Sequence, residues 1–254
     1  MVDLKTAAEI EAMACAGAVV AETLQAVADH ARAGIPTAEL DRVAADVLTR
    51  HGAHSPFLNY HPPWAPRPYP AVLCVSVNDA VVHGIPNGQV LADGDLVSVD
   101  FGAVLDGWCG DAARSFVVGI PRDADIKLIE ATERALAAGI AAARPGNTVG
   151  DIGHAISSSA RAAGYGLLAN HGGHGIGRAM HEDPHVPNEG RAGAGMRLRP
   201  GLVIAIEPML IADGTDNYAH DPDGWTLRTA SRARAAHAEH TVAITTDGAR
   251  ILTG

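Results

Sequence analysis

The stretch Asp95-Leu-Val-Ser-Val-Asp100-Phe-Gly-Ala-Val-Leu-Asp106-Gly107-Trp-Cys-Gly-Asp111 decides how this chain is read. Asp106-Gly107 lies between two strand-like runs, and Asp-Gly in that setting is a strong signal for a hairpin with a two-residue turn. With that pair as the turn, Leu105 faces Trp108, Asp100 faces Ala113 and Asp111 faces Gly102. Side chains alternate between the faces of a strand, so Asp100 and Asp111 emerge on the same face as diagonal neighbours. Two carboxylates so close repel unless a proton or a cation lies between them. Paired acids on a wet sheet face explain the two aspartates equally well, so the hairpin alone leaves both readings open.

Outward from the hairpin the chain reads helix, helix, strands, and then the same order again. Residues 6 to about 33 have apolar positions at three-to-four spacing and no proline. Gly34-Ile35-Pro36-Thr37 ends that helix and offers Thr37 as N-cap of a second, running to about His51. Residues 55–70 contain six prolines and are expected to be irregular. Strands are expected at 72–77, 95–104, 108–118, 202–211, 225–229 and 235–246, with helices at about 123–143 and 149–163. The repeated order predicts an α+β fold of two pseudo-symmetric halves whose sheets meet at a central cleft. Nothing looks like a linker, so residues 1–254 are expected to form a single domain.

Composition narrows the classes. The net charge of −10 and the lack of any lysine or arginine cluster argue against nucleic acid; three spaced arginines at 191–199 read as a solvated loop. Cys15, Cys74 and Cys109 are few, odd in number and far apart, which fits a reducing compartment rather than a disulfide framework. The N-terminus lacks the pattern of a signal peptide. No apolar stretch approaches the roughly 20 residues that cross a bilayer. A soluble, cytoplasmic chain without membrane contact is expected.

Three further pieces carry chemistry. In His171-Gly-Gly-His174-Gly-Ile-Gly-Arg-Ala-Met180-His181-Glu-Asp-Pro184, glycines frame His174 and let its backbone come close to whatever the imidazole touches. A lone histidine is more often a satisfied core residue, but this framing is harder to dismiss. Glu207 in Val203-Ile-Ala-Ile-Glu207-Pro-Met209 and Glu239 in Ala238-Glu239-His-Thr-Val-Ala-Ile244 each lie in or at the end of an apolar strand, where a carboxylate needs a partner. Either could pair with an arginine. Jointly, four carboxylates and one histidine are better explained by two divalent cations, which the carboxylates neutralise while the imidazole completes the ligand shell. Such an oxygen-rich set suits manganese, iron, cobalt or zinc.

These segments resemble the type I methionine aminopeptidases of the pita-bread fold. Val82-His83-Gly84-Ile85-Pro86 is similar to that family's first catalytic histidine motif, and the hairpin aspartates, with ten residues between them, to its first ligand pair. The His174–His181 segment is similar to its histidine ligand and second catalytic histidine, and Ile206-Glu207-Pro208 and Ala238-Glu239-His240-Thr241 to its last two ligands. The motifs follow the family order from roughly residue 5 to the C-terminus. The resemblance implies antiparallel sheets with helices outside and a metal cleft at the centre. It implies an enzyme that removes the initiator methionine from nascent proteins and peptides through attack by a metal-bridging water. Asp100, Asp111, His174, Glu207 and Glu239 would hold two metal ions, and Glu207 would shuttle the proton. His181 would meet the developing oxyanion, and His83 the peptide amide. Tyr60, Tyr69, Cys74, Met180 and Trp225 would line the methionine pocket. A monomer is expected. The chain departs from the family at Pro62-Pro-Trp-Ala-Pro-Arg-Pro68, an insertion of about six residues beside the substrate entrance, where the family glycine is lost.

Two motifs mislead. Asp100-Phe101-Gly102 copies a kinase triplet without the accompanying phosphate loop, lysine-bearing strand or catalytic loop. His181-Glu-Asp-Pro-His185 copies the zincin pattern, which needs a helix that Pro184 would break. Two rivals stand beside the aminopeptidase reading. One is a peptidase of the same fold that cleaves before proline, whose members usually carry an additional N-terminal domain. The other is a binding protein that kept the fold and lost catalysis.

Overall fold

The computed structural model describes residues 2–254. In chain order it runs α1 (Ala7–His30), α2 (Thr37–His51), β1 (Cys74–Val77), β2 (Ala80–Val82), β3 (Leu96–Leu105), β4 (Trp108–Val117), α3 (Asp123–Ala142) and α4 (Val149–Ala162). Ten short strands follow: β5 (Gly166–Leu167), β6 (Gly172–Gly175), β7 (Glu182–Pro187), β8 (Val203–Ile206), β9 (Met209–Ile211), β10 (Tyr218–His220), β11 (Leu227–Thr229), β12 (Ala235–His237), β13 (Glu239–Thr245) and β14 (Gly248–Ile251). The doubled order of helices and strands is present, and residues 55–70 form neither helix nor strand.

The hairpin forms in the expected register: Asp100 opposes Ala113, Gly102 opposes Asp111 and Leu105 opposes Trp108. Asp106 and Gly107 both take positive φ, 50° and 76°, as the two-residue turn that matches strand twist demands. These strands belong to an eight-stranded antiparallel sheet ordered β1-β3-β4-β13-β8-β6-β7, with β14 paired to β13. Helices α1 and α2 bury Val19, Val20, Leu40 and Val47 against Leu73, Val97, Val99 and Phe101. Helices α3 and α4 bury Leu128, Ile152 and Ile156 against Ile204, Ile206, Leu210 and Val242. Each half therefore has its own core, and the sheet joins them.

The expected strands at 202–211 and 235–246 are each broken, and for one reason. His237 opposes Met209, and His240 opposes Ile206, so the same register runs through the whole pair of segments. Pro208 lacks an N–H and interrupts the ladder, while the Ala238 N–H donates to the Pro208 carbonyl at 3.2 Å. There the ribbon leaves the large sheet and enters a three-stranded one, β12-β9-β5.

Two expectations are corrected. Thr37 is not the N-cap of α2; Pro36 holds that place, and the Thr37 hydroxyl donates to the Asn87 carbonyl instead. Helix α1, with 24 residues, is long and apolar enough by composition to cross a membrane, contrary to the reading that no stretch approaches that length. Half of that apolar stretch is buried in the protein, with Met13, Val20 and Val27 fully covered.

Phe101 is fully buried beneath the hairpin that carries both aspartates. Phe101→Ala is expected to cost about 3–5 kcal/mol of unfolding free energy through the cavity it leaves. Denaturant titration of the metal-free protein measures this.

Candidate metal centre

The sheet register alone brings the five candidate ligands to one face. Asp100 on β3 and Asp111 on β4 share a face across the hairpin. Glu239, the first residue of β13, opposes Ala113, which itself opposes Asp100. Carrying the His240–Ile206 pairing one residue further sets Glu207 against Glu239. Gly175 pairs with Ile204, so the preceding His174 lies opposite Ala205, two residues from Glu207 and on its face. The His174 strand runs so close to its neighbours that a Cβ on Gly173 would sit 2.0 Å from the Ala205 carbonyl oxygen. This is the physical use of the glycines around His174.

At the centre of that face, His174 Nε2 is 3.7 Å from both Asp111 Oδ2 and Glu207 Oε1. Its Nδ1 lies 2.9 Å from the Gly175 carbonyl. A carbonyl only accepts, so Nδ1 carries the proton and the Nε2 lone pair faces the carboxylates. Asp111 and Glu239 are 4% and 2% exposed. Asp111 is pinned from behind: its N–H donates to Thr241 Oγ1 at 2.9 Å, and the Thr241 hydroxyl returns a bond to its carbonyl at 2.8 Å.

Four acids packed this way oppose ionisation. Burial pushes the Asp100 carboxyl up to about 7 and raises Asp111, Glu207 and Glu239 well above the carboxylate range, with their mutual repulsion adding to the effect. Burial also lowers His174 to about 4, leaving its imidazole neutral. Among the described residues, no lysine or arginine pairs with any of the four carboxylates, so the arginine explanation for the two glutamates fails. Asp100 Oδ1, Asp111 Oδ1 and Glu239 Oε1 are buried without a hydrogen-bond partner. Buried oxygens left without partners beside a neutral imidazole with a free lone pair fit divalent cations.

Above the acids lies a cavity of about 240 Å³ lined by Phe57, Tyr60, Trp64, Tyr69, Cys74 and Trp225, with His83 and His181 at its sides. Cys74 opposes Asp100 across β1 and β3, which links the apolar slot to the acidic floor. His83 has φ 58°, a left-handed conformation that costs a non-glycine residue energy, and its Nδ1 is buried without a partner. His181 stands on the open side, its ring 4.4 Å from that of His174 and 5.3 Å from that of Tyr60. Pro184 lies in strand β7, so His181 and His185 share no helix and the zincin reading stays rejected.

One pocket expectation needs correction. Met180 does not line the cavity; it packs into a neighbouring core with Ile10, Met13, Val104 and Trp108, its tip against Gly102. Phe57 and Trp64 take part instead. Trp64 comes from the proline-rich insertion and stacks edge-on to Trp225 at 5.0 Å between ring centres. That insertion is tied down, since Trp225 Nε1 donates to the Arg67 carbonyl at 3.0 Å and the Arg67 guanidinium to the Asp223 carbonyl at 2.9 Å. Sequence reasoning also missed His237, whose Nε2 is 3.7 Å from Glu207 Oε2 and 3.9 Å from Glu239 Oε2. Its signal was the alternation of His237 and Glu239, two residues apart and so disposed to the same side of the ribbon.

A buried acidic floor with a neutral imidazole, beneath an aromatic-lined cavity, suits a metal-dependent enzyme. Residues 11–246 match metallopeptidase family M24. The chain is 52% identical to methionine aminopeptidase 1 of Mycobacterium tuberculosis, over 100% of its own length and 95% of the relative's. The crystal structure of methionine aminopeptidase from Rickettsia prowazekii superposes with a TM-score of 0.95 at 37% identity, covering 100% of both chains. That of methionine aminopeptidase from Thermotoga maritima superposes with a TM-score of 0.94 at 38% identity, covering 100% of this chain and 99% of the other. This chain belongs to metallopeptidase family M24, and its fold is the pita-bread fold of these structures.

The raised carboxyls give the metal-free protein a distinctive pH dependence. Each holds its proton to higher pH in the fold than in the unfolded chain, so stability is lost as pH rises through the folded value. The buried histidines act in the opposite sense, but only below about 6.5, where unfolded imidazoles titrate. Above that the carboxyl effect stands alone. The melting temperature of chelator-treated protein is expected to fall as pH rises above about 6.5, and divalent manganese to raise it and flatten the slope. Differential scanning calorimetry with and without metal checks both.

Proposed function

We propose that this chain removes N-terminal methionine from nascent proteins and peptides, using two divalent cations held by Asp100, Asp111, His174, Glu207 and Glu239. Manganese, iron, cobalt and zinc all suit this donor set. The observation that carries the reading is the set of buried carboxylate oxygens without partners on the floor of an aromatic-lined cavity. Two divalent ions bound there would neutralise the acids, polarise the scissile carbonyl and bring the pKa of water near 7. At about 240 Å³ the slot is below the roughly 300–1,000 Å³ of pockets for larger ligands, which suits one side chain. The thiol of Cys74 and the faces of Tyr69 and Trp225 offer polarizable contacts to a thioether.

The chain's own groups then divide the work. Glu207, ionised when the cations are bound, would take the proton from the attacking water and pass it to the leaving amine. His181, beside His174 on the open side, would donate to the carbonyl oxygen as charge develops. His83, lowered to about 4 by burial and therefore neutral, would bond the peptide amide after the methionine. The candidate ligands come from both halves of the chain and meet on one sheet, which supports a single catalytic domain over residues 1–254. Free cysteines at 15, 74 and 109 are consistent with work in the cytoplasm, where nascent N-termini emerge.

Chelation should abolish release of methionine from Met-Ala-Ser, and cobalt or manganese should restore it, while Ala-Pro peptides remain uncut under both conditions. Cleavage of Ala-Pro in preference would move the assignment to the proline-directed relatives. Metal binding with cleavage of neither peptide would make this a binding homologue. His181→Ala should lower kcat about 10²–10³-fold with little change in KM. Trp64→Ala should widen the slot, reducing the preference for Met-Ala-Ser over Leu-Ala-Ser about tenfold in kcat/KM.

A further inference from the structure

His237 has no part in the five-ligand set, yet it occupies the same floor. Its side chain is 1% exposed, and its Nε2 is buried without a hydrogen-bond partner. That nitrogen lies 3.7 Å from Glu207 Oε2 and 3.9 Å from Glu239 Oε2. Both separations are too long for hydrogen bonds. They are short enough for the atoms to share an ion, since two donors each about 2.1 Å from one cation lie no more than about 4.2 Å apart. The donor atoms of Glu207, His237 and Glu239 all fall within 4.8 Å of one another, as do those of Asp111, His174 and Glu239. The two triads share Glu239 and each contains one imidazole.

We propose that His237 Nε2 is a ligand of the cation held by Glu207 and Glu239, so that each of the two ions has its own imidazole. The inference rests on the two-cation reading of the cleft and adds a sixth residue to it. The backbone of His237 is fixed for this role. The Ser115 hydroxyl donates to the His237 carbonyl at 2.8 Å, and the His237 N–H donates to Ser115 Oγ at 3.0 Å. Ser98 Oγ, 2.8 Å away, supplies the remaining hydrogen of that junction. The β12 strand is thus clamped to β4 one step before the ribbon crosses into the large sheet at Ala238. This nitrogen donor also makes the ion's site softer than one built from carboxylates alone, favouring cobalt, iron or zinc over manganese.

The full-length protein loaded with zinc and crystallised should show His237 Nε2 at about 2.1 Å from an ion. In calorimetric titrations, His237→Gln should weaken binding of the second zinc ion by about 100-fold or more, beyond the range of outer-shell changes, and leave the first largely unaltered. Two bound ions with His237 Nε2 more than about 3 Å from both would overturn the proposal while leaving the five-ligand centre intact. So would unaltered binding of the second ion by a folded His237→Gln protein. A cleft that takes up no zinc at all would remove both readings together. If His237→Gln fails to fold, His237→Asn takes its place in the titration, and the wild-type crystal decides independently.

Discussion

Four carboxylates crowd one face of a single antiparallel sheet, and everything else about the molecule is arranged around their mutual repulsion. Moving ionised groups out of water costs several kcal/mol each unless something compensates. Here no lysine or arginine among the described residues does so. The fold tolerates the arrangement because each acid sits on a strand, or in the case of Glu207 directly after one, and the sheet is backed by two helix-covered cores. Burial and mutual repulsion favour their protonated forms in the metal-free protein, and on the reading proposed above divalent ions would take the protons' place. On that reading the sheet is the support that holds the acids where divalent ions would offset their repulsion.

The hairpin was fully legible from residues 95–111, because an Asp-Gly turn leaves only one register and the register dictates which side chains share a face. Glu207 and Glu239 were legible for a different reason: a carboxylate inside an apolar run demands a partner. What could not be read was the break of both glutamate-bearing strands at Pro208 and Ala238, since it depends on the pairing of distant segments. His237 was lost with that break. Once 203–211 and 235–243 are seen as one ribbon, His237 and Glu239 fall on the same side of it.

The apolar slot was less legible than the floor. Tyr60, Tyr69, Cys74 and Trp225 line the cavity, whereas Met180 turns into a core under Gly102. Trp64 enters from an insertion whose conformation no periodicity encodes. The prolines make that segment irregular; the bonds from Trp225 and Arg67 decide where it lies. A loop read as a departure from the family is in this chain a wall of the pocket.

Metal occupancy tests the account most directly. Crystals soaked in manganese and measured for anomalous scattering should show two peaks roughly 3.5–4 Å apart, flanked by Asp100, Asp111, His174, Glu207 and Glu239. A cleft without anomalous density, at metal concentrations where sites elsewhere on the chain are filled, would contradict it.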